Sequence, residues 1–103
     1  MRAQVAALER EQKARATRFA RDVVDRSLVD LLSMYRDALV VRLAASVALV
    51  NAEAADQVRA LAATMTPERL LTCMEAVREA RERITLNVPP LLALEAMAVA
   101  LRV

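Results

Sequence analysis

This sequence predicts an all-α fold: a small helical bundle of about four to five helices with a long N-terminal helix. Three observations carry the prediction. The 103 residues include no glycine, while alanine (22), leucine (15) and arginine (14) dominate, all of them good helix formers. Apolar residues recur at three- and four-residue steps rather than alternating. The only strong breakers are three prolines, one after a threonine and two adjacent to each other.

The first helix is expected to run from Arg2 to Ala45, since nothing in that stretch stops it. Phe19, Val23, Leu28, Leu31, Leu32, Tyr35, Leu39 and Leu43 form its apolar face, with the Tyr35 hydroxyl expected at the domain edge. Arg21, Asp22, Asp25, Arg26, Arg36 and Asp37 form a polar side with spacings that allow pairing along the helix. Such a helix is about 65 Å long, whereas a compact domain of this size has a radius of gyration near 13 Å. It must therefore break, or its N-terminal end must project and lie on another surface. The first 18 residues differ from the rest: Val5 and Leu8 are the apolar positions, and Arg10, Glu11, Lys13, Arg15 and Arg18 crowd together. Residues 1–18 are accordingly assigned to a connecting part of this helix, and 19–103 to the bundle.

Ser46 to Asn51 reads as a connection ending in a residue suited to capping. A short second helix follows from Ala52 to about Met65, with Val58, Leu61 and Met65 on one face. Thr66-Pro67-Glu68-Arg69 is a helix start: a threonine cap, proline in the first turn and an acid behind it. The third helix should bury Leu70, Met74, Val77, Ala80 and Ile84 and expose its Arg and Glu residues as a salt-bridged face. Asn87-Val88-Pro89-Pro90 ends it, because proline pushes the preceding residue out of helical space. Asn87, like Asn51, reads as a local backbone cap.

The fourth helix, about Pro90 to Arg102, has Glu95 as its only polar residue between Leu91 and Leu101. A helix apolar on every side is a buried helix. At the end of so small a chain it cannot be enclosed by its own domain, so one side should pack on helices one and three and another should face a partner. The expected interface residues are Leu91, Leu94, Met97, Ala98 and Leu101, together with Val5 and Leu8 of the projecting helix. An internal helix cupped by the other three is the alternative arrangement.

The composition excludes several functions. Phosphate-cradling loops need glycine and His-based triads or metal sites need histidine; the chain has neither. Its single cysteine, Cys73, forms no intramolecular disulfide and has no histidine base, so it reads as a structural thiol. Glu75, Glu79 and Glu82 share a helix with Arg78, Arg81 and Arg83, which argues for ion pairs and not for a metal site. No catalytic, cofactor-binding or metal-ligating residue is expected, and no cofactor. Residues 1–26 hold seven basic and four acidic side chains, which raises a nucleic-acid-binding helical module as a rival reading. With Phe19 as the sole aromatic there and four acids diluting the stripe, a solvated or partner-facing helix is favoured. No segment reads as a signal peptide or a membrane span, so the chain is expected in the cytoplasm.

Several stretches are familiar. Leu8-Glu9-Arg10-Glu11-Gln12-Lys13-Ala14-Arg15-Ala16-Thr17-Arg18 resembles the helix after the ATPase region in delta-prime subunits of bacterial DNA polymerase III, of the actinobacterial type. Met34-Tyr35-Arg36-Asp37-Ala38-Leu39 and Leu49-Val50-Asn51 resemble the next characteristic stretches of that family. Asn87-Val88-Pro89-Pro90-Leu91-Leu92-Ala93-Leu94-Glu95-Ala96-Met97 is similar to the last helix of clamp-loader subunits in general, gamma/tau included.

The resemblance implies a C-terminal collar domain, the helical region that joins loader subunits into the ring that opens the sliding clamp and places it on primed DNA. It implies no catalysis in this segment, and partners among the other loader subunits, delta and gamma/tau, in place of a small-molecule substrate, a membrane or DNA itself. The chain would be a fragment beginning within the helix that follows an ATPase-like region, and alone it would self-associate through helix four. The corresponding domain of gamma/tau is the second choice.

Overall fold

The computed structural model describes residues 1–102; Val103, the last residue of the expected 19–103 unit, lies outside the described residues. Four α-helices follow one another: α1 (Arg2–Arg42), α2 (Ala55–Thr64), α3 (Pro67–Thr85) and α4 (Pro90–Leu101), with a 3₁₀ turn at Ala52–Ala54 leading into α2. Helix α1 is the backbone of the molecule. Helices α2 and α3 lie along its C-terminal half, and α4 rides on α3. The long first helix does not break: its 41 residues give the molecule its 64 Å length, against 27 and 17 Å in the other directions. The radius of gyration, 18.0 Å, exceeds the roughly 13 Å of a compact chain of this length.

Two clusters hold the helices together. Leu28 of α1 meets Val77, Ala80 and Ile84 of α3 and Ala93 of α4. Ala38 of α1 meets Val58 and Ala62 of α2 and Leu70 of α3. Tyr35 packs against both. Tyr35 is half-buried; burial pushes its pKa up, and the neighbouring buried Cys73 thiol adds to the shift. The expected core of α3 is buried throughout. On α1 the core face is narrower than its periodicity suggests, since Phe19, Val23 and Leu43 remain exposed. Their spacing fits a helical face, but α2, α3 and α4 cover only part of the helix circumference.

Without glycine, two helix ends still turn through left-handed backbone. Ala44 (φ 52°) and Asn87 (φ 68°) occupy the positions that glycine usually takes. At each end the same pair of bonds closes the turn: Ala44 N–H to Val41 O and Ala45 N–H to Val40 O, then Asn87 N–H to Ile84 O and Val88 N–H to Arg83 O. Asparagine tolerates this region; alanine does so at a cost of about 1 kcal/mol. Helix α1 therefore stops at Arg42, three residues before the expected Ala45.

Asp37, expected on the polar side of α1, is the one charged side chain in the core and is fully buried. One carboxylate oxygen accepts from Val50 N–H at 2.9 Å and from the Arg36 guanidinium at 2.8 Å. The other accepts from Asn51 N–H at 2.7 Å and from the Asn51 amide at 2.9 Å. Asn51 thus makes no side-chain cap of the 3₁₀ turn that follows it; its amide serves Asp37 and Ser33 instead. Arg36 also reaches Ala48 O at 3.1 Å. The expected start of α3 is present, with Thr66 accepting from Arg69 N–H at 3.1 Å. Polar pairing along α1 gives way to pairing between helices: Asp25 turns to Arg81 of α3 at 2.8 Å, and Arg21 to Asn87 at 3.1 Å.

Burial pushes the Asp37 carboxyl up, but the hydrogen bonds from Val50, Asn51 and Arg36 outweigh it and hold it below the ordinary 3.8. A carboxyl whose folded value is depressed binds fewer protons folded than unfolded, so its stabilisation is present above about pH 4 and fades as pH falls through the folded value. Thermal unfolding should accordingly be insensitive to pH above about 5 and fall below about 4. Asp37→Asn should lower the midpoint at neutral pH and flatten the acid decline. Asp37→Ala should cost roughly 3 kcal/mol in a urea titration, because four donors lose their acceptor. Ala44→Gly should stabilise by up to about 1 kcal/mol by removing the left-handed alanine, read as a shift in the urea midpoint.

Candidate protein-interaction surfaces

Helix α4 begins at a proline that fits the first helical turn and contains no internal breaker, so it forms despite its low polarity. It is fastened at both ends. At its start, Arg21 of α1 donates to the Asn87 side chain in the preceding turn. At its end, the Arg69 guanidinium at the start of α3 donates to Ala100 O at 3.2 Å and Arg102 O at 2.8 Å. Those carbonyls have no partner within the helix, and a cation there also opposes the negative end of the helix dipole. Nothing in the local sequence around Arg69 announces this contact, which spans more than thirty residues.

Only Ala93 of α4 is fully buried. The helix is therefore not cupped by the other three; its main support is α3. Leu94 and Met97 are half-buried and pack against the chain's own core, and Leu101 is half-buried. Leu91 (67% exposed), Leu92, Ala98 and Val99 face outward. The expected α4 set thus divides into residues turned toward the core and an outer apolar face with no covering element. Glu95, also exposed, stands four residues from both Leu91 and Val99 and breaks this face with one charge; clustered apolar exposure of this kind is a mark of interaction surfaces.

The second surface lies on α1. Val5 and Leu8 are about half exposed, and Phe19 is 72% exposed. Phe19 stands about two and a half turns from the buried Leu28, on the opposite side of the helix. Lys13, Arg15 and Arg18 are exposed on the flanks of this stripe, with Arg15 paired to Glu11, while Arg10 is exposed on the opposite side. The first side chain of α1 to bond another part of the chain is Arg21, to Asn87 in the turn before α4, and the first to bond another helix is Asp25, to Arg81 of α3. The accessible surface is 7,314 Å², whereas a compact chain of this mass exposes roughly 5,700 Å². The excess is about what one protein contributes to two interfaces of ordinary size.

Site chemistry is sparse. The polar cleft between α1 and α3, lined by Arg21, Asp22, Asp25, Arg81 and Thr85, is organised by the Asp25–Arg81 pair. The hydrogen bond from Arg81 lowers the Asp25 carboxyl and raises Arg81 in turn, so both stay charged. On α3, Glu75 pairs with Arg78 and Glu79 with Arg83, as expected of a solvated face. Among the described residues no group of three His, Cys, Asp or Glu side chains could hold a metal ion, and no helix is long and apolar enough to cross a membrane.

Comparison with known proteins gives one family. The family described as DNA polymerase III, delta subunit, C terminal, matches residues 7–101. No curated protein and no solved structure matches the chain. The match takes in α2, α3, α4 and α1 from Ala7 onward, and so the α4 surface and the α1 surface without Val5. A single all-α unit of four helices, two of them carrying uncovered apolar stripes, fits a domain that is a non-catalytic part of the clamp loader. This chain belongs to the family of C-terminal domains of DNA polymerase III delta subunits.

Proposed function

We propose that this chain is the collar domain of a delta-prime subunit of the DNA polymerase III clamp loader and works in the cytoplasm. In this reading it joins the delta and gamma/tau subunits in the complex that loads the sliding clamp on primed DNA. The observation that carries the proposal is the uncovered outer face of α4, fixed in place by contacts at both its ends. The delta-prime assignment draws on the likeness of residues 8–18 to that subunit. Residues 1–18 serve as the connecting part of α1, and the collar unit runs from 19 to 103. Leu91, Leu94, Met97, Ala98 and Leu101 form the main contact, with Val5 and Leu8 adding a second along the projecting helix.

The division of α4 into two sides sharpens the test. Leu91→Asp combined with Val99→Asp places charge on the outer face alone. It should weaken assembly with the delta and gamma/tau subunits at least tenfold in a gel-filtration titration, about 1.4 kcal/mol or more of binding energy, while leaving the chain's own melting temperature within a few degrees. Leu94→Asp or Met97→Asp should lower that melting temperature as well, because these side chains also pack on the core. Unchanged assembly by the double outer-face variant overturns the proposal.

A further inference from the structure

The α1 stripe carries information that the α4 face does not. Taken from Met1, the positions on the side away from the core are Met1, Val5, Leu8, Gln12, Ala16, Phe19 and Val23, separated by steps of 4, 3, 4, 4, 3 and 4. All seven are exposed, and none joins either core cluster. The steps are symmetric about Gln12. A repeat of eleven residues in three turns keeps such a stripe on one side of a nearly straight helix.

A palindromic stripe is complementary to itself when two helices run in opposite directions. With the two-fold axis at Gln12, Leu8 meets Ala16 of the second copy, Val5 meets Phe19, and Met1 meets Val23. Large side chains then oppose small ones next to the axis, where Gln12 meets its own copy. The charges beside the stripe follow the same symmetry. On one flank Glu11 comes beside Arg15 of the second copy, and on the other Glu9 comes beside Lys13, each contact occurring twice, whereas Glu11 and Lys13 come beside their own copies once each, so attraction prevails. A parallel pair would instead set Glu9 beside Glu11 and Arg15 beside Lys13, with only Lys13 beside Glu11 to offset them, so repulsion prevails. Opposed helix dipoles also favour the antiparallel arrangement. Because the core packs on the other side of α1, the two globular halves would sit at opposite ends of the paired helices without collision.

We infer that residues 1–23 of α1 form a homotypic docking surface whose partner is the same segment of a second copy, paired antiparallel about Gln12. Such pairing belongs to the chain before it joins other subunits and does not depend on the proposed function. The same stripe cannot hold a second copy and another subunit at once, so self-pairing competes with any heterologous use of Val5 and Leu8. Gln12, exposed in the single chain, would be enclosed at the axis of the pair and fix its register, as single polar residues do in helix pairs.

Single cysteines test direction and register together. Facing helices 8–10 Å apart bring residues on the axis to within about the 4.4–6.8 Å that a disulfide spans between Cα atoms. Gln12 is exposed, and Cys73 is buried, so Gln12→Cys leaves the fold intact and introduces the only accessible thiol. Under mild oxidation Gln12→Cys should form a disulfide-linked dimer at least tenfold faster than Val5→Cys, whose counterpart is Phe19 and not itself. Equal rates, or faster linkage at Val5, would overturn the antiparallel register. Sedimentation equilibrium should show the unmodified chain passing from monomer to dimer with concentration. Glu9→Lys with Glu11→Lys should shift that transition about tenfold or more to higher concentration. Adding Lys13→Glu and Arg15→Glu to the same chain should restore it. A chain that stays monomeric at every concentration, or a dimer indifferent to these charge changes, sinks the inference.

Discussion

The two oxygens of Asp37 organise the chain's change of direction. After α1 ends at a left-handed alanine, the connection to α2 leaves Leu43, Val47 and Val50 exposed and packs Leu49 against the core, so little of its apolar surface holds it down. Two backbone N–H groups, an amide and a guanidinium converge on one buried carboxylate instead. A buried charge is expensive unless its hydrogen-bonding capacity is filled, and here four donors fill it. The position of α2 against α1 follows from that anchor. Since only two residues separate α2 from α3, the placement of α3 along α1 follows in turn. Helix α4, resting on α3, inherits the alignment.

This dependence explains what could be seen in the sequence and what could not. The four helices, the threonine-proline start of α3 and its buried face are local properties, set by propensity, capping and periodicity within one segment. The Asp37 anchor is not local. Its partners lie thirteen and fourteen residues away across a turn, and an aspartate beside an arginine on a long helix has the appearance of an ordinary solvated pair. Phe19 and Val23 mislead in the opposite way: they share the periodicity of core residues but lie where no other helix reaches. The outward face of α4 was legible from composition alone, because twelve residues with a single charge exceed what three small neighbours can cover. Its split into core-facing Leu94 and Met97 and outward Leu91 and Val99 rests in the sequence on one residue, Glu95, which is exposed four residues from both Leu91 and Val99.

The absence of glycine has a structural counterpart in the two left-handed turns. Asparagine and alanine close helix ends that glycine would close with less strain, and each turn then relies on the bonds that flank it. Asn87 does more than close α3. Its side chain accepts from Arg21, so the same residue that sets the backbone turn ties α1 to the entry of α4. The chain therefore places few residues in connections and most of its length in helices whose surfaces remain available to other proteins.

Arg69 gives that availability a kinetic and entropic meaning. With Arg69 on the carbonyls at its end and Arg21 on Asn87 just before its start, α4 has a largely apolar outer face whose shape the chain's own contacts set; in the proposed reading it is settled before any neighbour arrives. A partner landing on it orders few backbone torsions, so the free energy of association is not offset by coil-to-helix ordering of the kind that folding-on-binding segments incur. Arg69 touches only carbonyls at the far end of the helix, yet its removal would fray that face and raise the ordering cost of every encounter. Affinity at this surface would then depend on a side chain that no partner touches.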